Sequence, residues 1–407
     1  MRWRDAVVLG MDGARIAAGA LRRGLRPPRP VRERAAGAEA ICRAVAERAW
    51  NGRYFRAGQS HLTQFWLRDL ALSLEGLIAL GHAARCRRAL RWALGQWERA
   101  GRITTTIVAE RFAVDIFEYA CDSLPLLLYA LERLDMERER RHWRGLLAAE
   151  AARYHQQLID PRTGTVRVDR TYSSTKDTMR FTGTCTAHCM AAWCQALLAR
   201  APELPNPLAP YPLRETLRER FWTGSFFRNH LGSELISSDA NFWPFWCGLL
   251  PPGERKDLLA RSIAAVRAAG LDHPFPLKYH PRPLPEYELP LQRLVLPNYQ
   301  GDAIWTFFSV QWIELLAELD PAAARAHLER YARWIERWGT WIEVFTPDGR
   351  RPLPGRLGYG ADWGMVWAAS FPPVHARLTA AEAPQGAGRA EAPRERAGPG
   401  PRGRAAW

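Results

Sequence analysis

Apolar residues recur at helical spacing in segment after segment of this chain, while the alternation that makes a half-buried strand is nearly absent. That pattern confines the chain to an all-α architecture. It predicts about twelve helices, over residues 36–50, 64–81, 83–100, 122–134, 137–158, 181–200, 213–222, 239–250, 254–269, 299–319, 322–338 and 361–377. The connections alternate in length. Short turns at His82, Asp135–Met136 and Asp320–Pro321 are interleaved with long loops at 101–121, 159–179, 271–298 and 339–360. Short turns join antiparallel neighbours, and long loops gathered at one end of a helical array tend to build a site. Six helical hairpins closed into an (α/α)6 toroid give this rhythm. A solenoid of helical pairs would show a fixed repeat of about 33–47 residues, and none is present.

The chain has 407 residues, of which 57 are Lys or Arg and 42 Asp or Glu, for a net charge of +15. Such a balance raises the question of nucleic acid. The charge is spread along the chain, almost all of it Arg, with no long basic block, zinc-finger spacing or RNA-binding aromatic motif. No nucleic-acid partner is therefore expected, while an anionic substrate stays compatible. The 18 tryptophans are a high number; some must pack the interior, and so many also suit a cleft that stacks rings on flat apolar ligand faces such as sugars or bases.

Seven cysteines, mostly inside apolar helical patterns, read as reduced buried thiols of a cytoplasmic protein. Cys185, His188 and Cys189 share a helix face but lack a fourth ligand at matching spacing, so no metal or cofactor is expected. The apolar run 7–11 is interrupted by Asp12 and Arg15 before it reaches signal-peptide length, and no stretch is long enough to span a bilayer. Residues 1–35 read as a basic leader, poorly ordered or loosely docked. Residues 36–380 form the helical domain, and the Ala/Gly/Pro/Arg/Glu-rich 381–407 form a disordered tail.

Polar and aromatic residues crowd together where the predicted helices begin or end. One stretch is Trp66-Leu67-Arg68-Asp69. A second is Tyr172 to Arg180, with Lys176 and Asp177, where Lys176 is one of only three lysines in the chain. A third is Ser238-Asp239-Ala240-Asn241. The last comprises Asn298-Tyr299-Gln300-Gly301-Asp302 before Trp305, then Glu343 and Asp362-Trp363. Singly, Asp239 and Asp302 read as helix caps and Asp69 as a partner of Arg68. Glu343, between Ile342 and Val344, is harder to place in that way, because a carboxylate among apolar residues is costly unless paired or used.

In order and content these stretches resemble the six-hairpin glycosidase superfamily, which includes processing α-glucosidases, trehalases, glucoamylases, neutral invertases and glycogen-debranching α-1,6-glucosidases. Trp66-Leu67-Arg68-Asp69 followed by Leu74-Glu75-Gly76-Leu77 is similar to the Trp-x-Arg-Asp segment of the debranching and neutral-invertase types. Ser174-Thr175-Lys176-Asp177-Thr178-Met179 stands where processing glucosidases and trehalases carry Ser-Gly-x-Asp-Asn-Ser. Tyr299 to Trp305 resembles the pocket-lining Tyr-x-x-Gly-x-x-Trp segment. Glu343-Val-Phe-Thr-Pro-Asp-Gly349, followed by Trp363 and Trp367-Ala-Ala, looks like the segment that supplies the general base. The resemblance covers about residues 60 to 375.

The resemblance implies an (α/α)6 catalytic domain and an inverting glycoside hydrolase acting on an α-linked glucoside or related small saccharide. Asp177 would be the acid and Glu343 the base. Trp66, Trp305 and Trp363 would shape the pocket, and Arg68, Asp69, Asp239 and Gln300 would bind hydroxyls. Lys176 departs from the pattern. A cation beside Asp177 would lower its pKa unless it turns away or binds substrate. A non-catalytic carbohydrate-binding toroid and a glycoside phosphorylase are the alternatives. The oligomeric state is not legible in the sequence.

Overall fold

The computed structural model describes residues 32–33, 35–356 and 360–380. The tail 381–407 and most of the leader lie outside the described residues. Within them are fourteen α-helices and one 3₁₀ turn; thirteen of the helices and the 3₁₀ turn alternate between an outer and an inner ring.

The outer helices are α1 (Ala38–Ala49), α3 (Ala83–Ala100), the broken pair α5 (Glu137–His142) and α6 (Arg144–Leu158), α8 (Leu213–Phe221), α10 (Pro252–Ala268) and α13 (Pro321–Trp338). The inner ones are α2 (Leu67–Ala79), α4 (Ser123–Arg133), α7 (Cys185–Ala199), the single turn α9 (Trp243–Trp246), α12 (Ser309–Ala317), and the 3₁₀ turn η1 (Val366–Ser370) running into α14 (Phe371–Ala380). A short helix, α11 (Pro290–Val295), lies in a loop. Composition separates the two rings. Outer α3 and α13 carry a narrow apolar stripe on an Arg-rich surface, whereas inner α7 has twelve buried residues among its fifteen.

The inner ring closes. Helix α2 packs on α4, α4 on α7, α7 on α9, α9 on α12, α12 on α14, and α14 with η1 back on α2; outer α1 seals the seam against α13, η1 and α14. Gly76 makes the closure possible. A Cβ built there would stand 2.3 Å from the carbonyl oxygen of Ala369, so only glycine lets α2 and η1 meet backbone to backbone.

Chain direction then fixes where a site can form. Every inner-to-outer connection from α2 to α13 lies at one end of the ring, and every outer-to-inner connection lies at the other. The latter are the long ones, over 50–66, 101–122, 159–184, 222–242, 269–308 and 339–365. They meet at the N-terminal ends of the inner helices, where unpaired N–H groups and the helix dipole favour negative charge. Small antiparallel ribbons stiffen them. β1 (Phe65–Trp66), β2 (Thr106–Val108) and β3 (Phe112–Val114) pair in that order, β4 (Ile159–Asp160) pairs with β5 (Thr165–Val166), and β6 (Ile304–Trp305) pairs with β7 (Val344–Phe345) in the register Trp305↔Val344.

Several inner helices start later than periodicity predicts. Phe65 and Trp66 are strand, so α2 opens at Leu67. Thr184 caps α7, its hydroxyl accepting from the Ala187 N–H at 3.2 Å, so residues 181–183 stay outside. Helix α12 begins only at Ser309 because Ile304 and Trp305 pair with β7. In each case the residues that would have made the first turn line the loop end instead. No helix among the described residues is long and apolar enough to cross a membrane.

Candidate active site

Arg68 and Asp69 occupy the first turn of α2, and both are buried. The Arg68 guanidinium grips Asp122, at the start of α4, in a bidentate pair: Nε donates to Oδ2 at 2.6 Å and Nη2 to Oδ1 at 3.1 Å. Its third nitrogen, Nη1, reaches Asp177 Oδ2 at 3.5 Å. Asp69 accepts from the Trp367 indole N–H at 2.8 Å. Burial pushes the Asp69 carboxyl up to about 7, although Arg68 and Trp367 oppose the shift.

The loop after β5 presents Asp177 to this group. Gln300 holds it in place. Its amide nitrogen donates to Asp177 Oδ1 and to the Thr175 carbonyl, both at 3.0 Å, while its amide oxygen accepts from the Thr178 N–H at 2.9 Å and hydroxyl at 2.6 Å. Tyr279 donates to the same Thr175 carbonyl at 2.9 Å. The Asp177 side chain keeps 15% of its surface exposed, although its neighbours Lys176 and Thr178 are buried. Burial raises its pKa, against the pull of Arg68 and the Gln300 hydrogen bond.

Tyr299, next to Gln300, donates its hydroxyl to Glu343 Oε1. The second Glu343 oxygen accepts from the Asp362 N–H at 2.7 Å. Glu343 stands just before β7, is 1% exposed, and is pushed up to about 8 by burial and then by the charges of Asp362 and Asp69. Two consecutive residues of one segment therefore hold the two expected catalytic carboxyls, Gln300 taking Asp177 and Tyr299 taking Glu343. Asp362 acts as a staple. Its carboxylate accepts the backbone N–H groups of Ser60, His61, Leu62 and Trp363 at 2.6–2.9 Å, tying the 58–62 loop beside Glu343.

Aromatic rings border this group. Trp305 is buried, donates to the Tyr299 carbonyl, and meets the Tyr299 ring edge-on at 4.6 Å. Trp66 and Trp363 are half-buried.

Three expected sugar contacts are placed differently: Gln300 is buried and spends its amide on Thr175, Asp177 and Thr178, and Lys176 and Asp239 serve each other. Lys176 turns away from Asp177 and pairs with Asp239, Nζ to Oδ1 at 2.8 Å, while also donating to Asn229 Oδ1. Both side chains are sealed, at 3% and 0% exposure. Lys176 and Asp177 lie in a turn that the Met179 N–H closes on the Lys176 carbonyl at 3.2 Å, and their side chains leave it towards different partners, so the lysine that sequence sets beside the acid serves Asp239 instead. Asp122 is the member of the group that sequence reasoning missed, because an aspartate at the start of an apolar helical pattern reads as an N-cap. It makes no side-chain cap bond here and serves Arg68 instead. Of the possible metal trio, His188 Nε2 bonds the Leu213 carbonyl at 2.8 Å, and burial lowers its pKa to about 4. Among the described residues no group of His, Cys, Asp and Glu is placed to hold a metal ion.

No protein-family model matches the chain, and no curated protein matches it in sequence. Solved structures do match in fold. A glycosidase variant in complex with glucose superposes with a TM-score of 0.60 at 15% identity, covering 84% of this chain and 98% of that one. A Klebsiella oxytoca rhamnosidase with rhamnose bound gives 0.58 at 13% identity, over 86% of this chain and 66% of the other. A mannosylglycerate hydrolase from Thermus thermophilus, in complex with Tris and D-glycerate, gives 0.56 at 14% identity, over 84% and 100%. The chain thus has the toroidal fold of six-hairpin glycosidases.

Proposed function

We propose that the protein is a glycoside hydrolase that cleaves an α-linked glucoside or related small saccharide with inversion. The observation that carries this reading is the pair Asp177 and Glu343, two carboxyls with raised pKa held by the consecutive residues Gln300 and Tyr299 at the mouth of the inner ring.

Asp177, partly exposed and raised by burial, is suited to donate a proton to the glycosidic oxygen as the bond to the anomeric carbon breaks. Glu343, once ionised, takes a proton from a water whose oxygen attacks that carbon from the opposite face. The sugar leaves with inverted configuration, the aglycone leaves as an alcohol, and Asp177 and Glu343 have exchanged protonation states, which solvent restores. Arg68 and Asp69 would meet the hydroxyls of the terminal sugar, and Trp66, Trp305 and Trp363 its faces. Glucose and rhamnose, bound in two of the structural relatives, fit a saccharide ligand of this class.

The test is turnover of a panel of α-linked disaccharides with glucosyl- and mannosyl-glycerate. Wild type should release free sugar from at least one member, and Asp177→Asn and Glu343→Gln should reduce that rate by about three orders of magnitude or more with the fold intact. Near wild-type rates in both variants would remove these two carboxylates from the mechanism.

A further inference from the structure

Lys176 and Asp239 do more than neutralise each other. The pair is fully buried, with the Lys176 ammonium 5.3 Å from the Phe181 ring centroid and 6.0 Å from that of Tyr279. Replacing such a pair with apolar groups of similar volume is often neutral or stabilising, so net stability gives no reason for it to be ionic. Its connections show what it fixes. Asp239 Oδ2 accepts from the Thr186 hydroxyl in the first turn of α7 at 2.5 Å, and the Asp239 carbonyl accepts from the N–H of Trp243, the first residue of α9, at 3.1 Å. Asn229, the second acceptor of Lys176, is itself held by the Ser237 hydroxyl at 2.9 Å. One lysine therefore ties the backbone of residue 176 to the starts of two inner helices. Gln300 holds the Thr175 carbonyl and the Thr178 N–H on either side of it, and Tyr279 shares the Thr175 carbonyl.

We propose that the Lys176–Asp239 pair is a positioning device for Asp177, a pin behind the loop that sets where the acid's carboxyl stands. This rests on the reading of Asp177 as the proton donor. Lys176 touches neither substrate nor reacting atoms; it acts through the peptide it shares with Asp177. A displacement of about 1 Å at a catalytic group can cost about 100-fold in rate.

The test uses the full chain and two α-glycosides: one with a sugar leaving group, which needs protonation, and one with a dinitrophenyl leaving group, which does not. The informative variant is Lys176→Met combined with Asp239→Asn, because it leaves neither charge buried and unpaired. Asp177→Asn is run beside it. The double variant should fold, lose about 100-fold in kcat on the sugar-leaving substrate with little change in KM, and stay within about threefold of wild type on the dinitrophenyl glycoside. Equal losses on both substrates, or no loss on either, would overturn the proposal. If the double variant does not fold, Thr186→Val, which trims one hydrogen bond from Asp239 and removes no charge, is read by the same criterion with a smaller expected loss. Failure of the underlying reading looks different: wild type would cleave neither glycoside, or Asp177→Asn itself would lose rate without regard to the leaving group.

Discussion

Glu343→Gln should make the protein inactive and, at alkaline pH, more stable than wild type. In the folded protein the carboxyl sits at about 8 against an ordinary value of 4.5. In that window the folded state holds a proton that the unfolded state has released, so wild-type stability falls as pH rises from the ordinary value towards 8. A rise of that size corresponds to about 5 kcal/mol of preference for the neutral form, which is the ceiling on what ionising Glu343 takes from the fold. The amide has no such liability. It also keeps both hydrogen bonds in one orientation, with its oxygen accepting the Asp362 N–H and its nitrogen donating to the Tyr299 hydroxyl. Urea unfolding of wild type and variant at pH 5 and pH 9 reads the difference directly, because other carboxylates, Asp69 among them, titrate in both proteins. The stability difference should be small at pH 5 and should grow by about 3–5 kcal/mol in favour of the variant at pH 9. Curves that stay parallel to within about 1 kcal/mol across the window would show that Glu343 ionises freely where it is, and would refute this electrostatic account.

Two substitutions probe the frame around the carboxyls. Arg68→Met should cost about 3–5 kcal/mol in denaturant unfolding, since it leaves Asp122 buried without its bidentate partner; a loss below about 1 kcal/mol would mean that the pair does not hold α2 and α4 together at the site. Gly76→Ala should destabilise by about 1–3 kcal/mol or more, because its methyl would collide with the backbone at Ala369, which cannot rotate aside; wild-type stability would place the ring closure elsewhere.

The toroid was legible because hairpin rhythm is a local property. Short turns and long loops can be counted along the chain, and their alternation already places the long loops together at one end. Helix starts were less legible, since Phe65–Trp66 and Ile304–Trp305 follow an apolar pattern that helix and buried strand share until a partner strand settles it. Within the site, sequence marks residue types but not side-chain direction. It set Lys176 beside Asp177 and could not show that one peptide unit separates a charge sealed against Asp239 from one held by Gln300 and Arg68. Asp122 was hidden for a related reason: its partner Arg68 is 54 residues away, and the local signal of a helix-starting aspartate is the same whether it caps its helix or binds an arginine. Asp362 shows the opposite case. Its four backbone donors come mostly from a loop some 300 residues earlier, so nothing near it in sequence distinguishes a structural staple from a catalytic acid.

The most direct test of the central claim is the configuration of the first sugar released. With any α-linked substrate that the protein turns over, proton NMR in the first minutes, before mutarotation, should show the β-anomer, because water activated by Glu343 attacks the face opposite the oxygen protonated by Asp177. Release of the α-anomer would contradict the arrangement proposed for these two carboxyls.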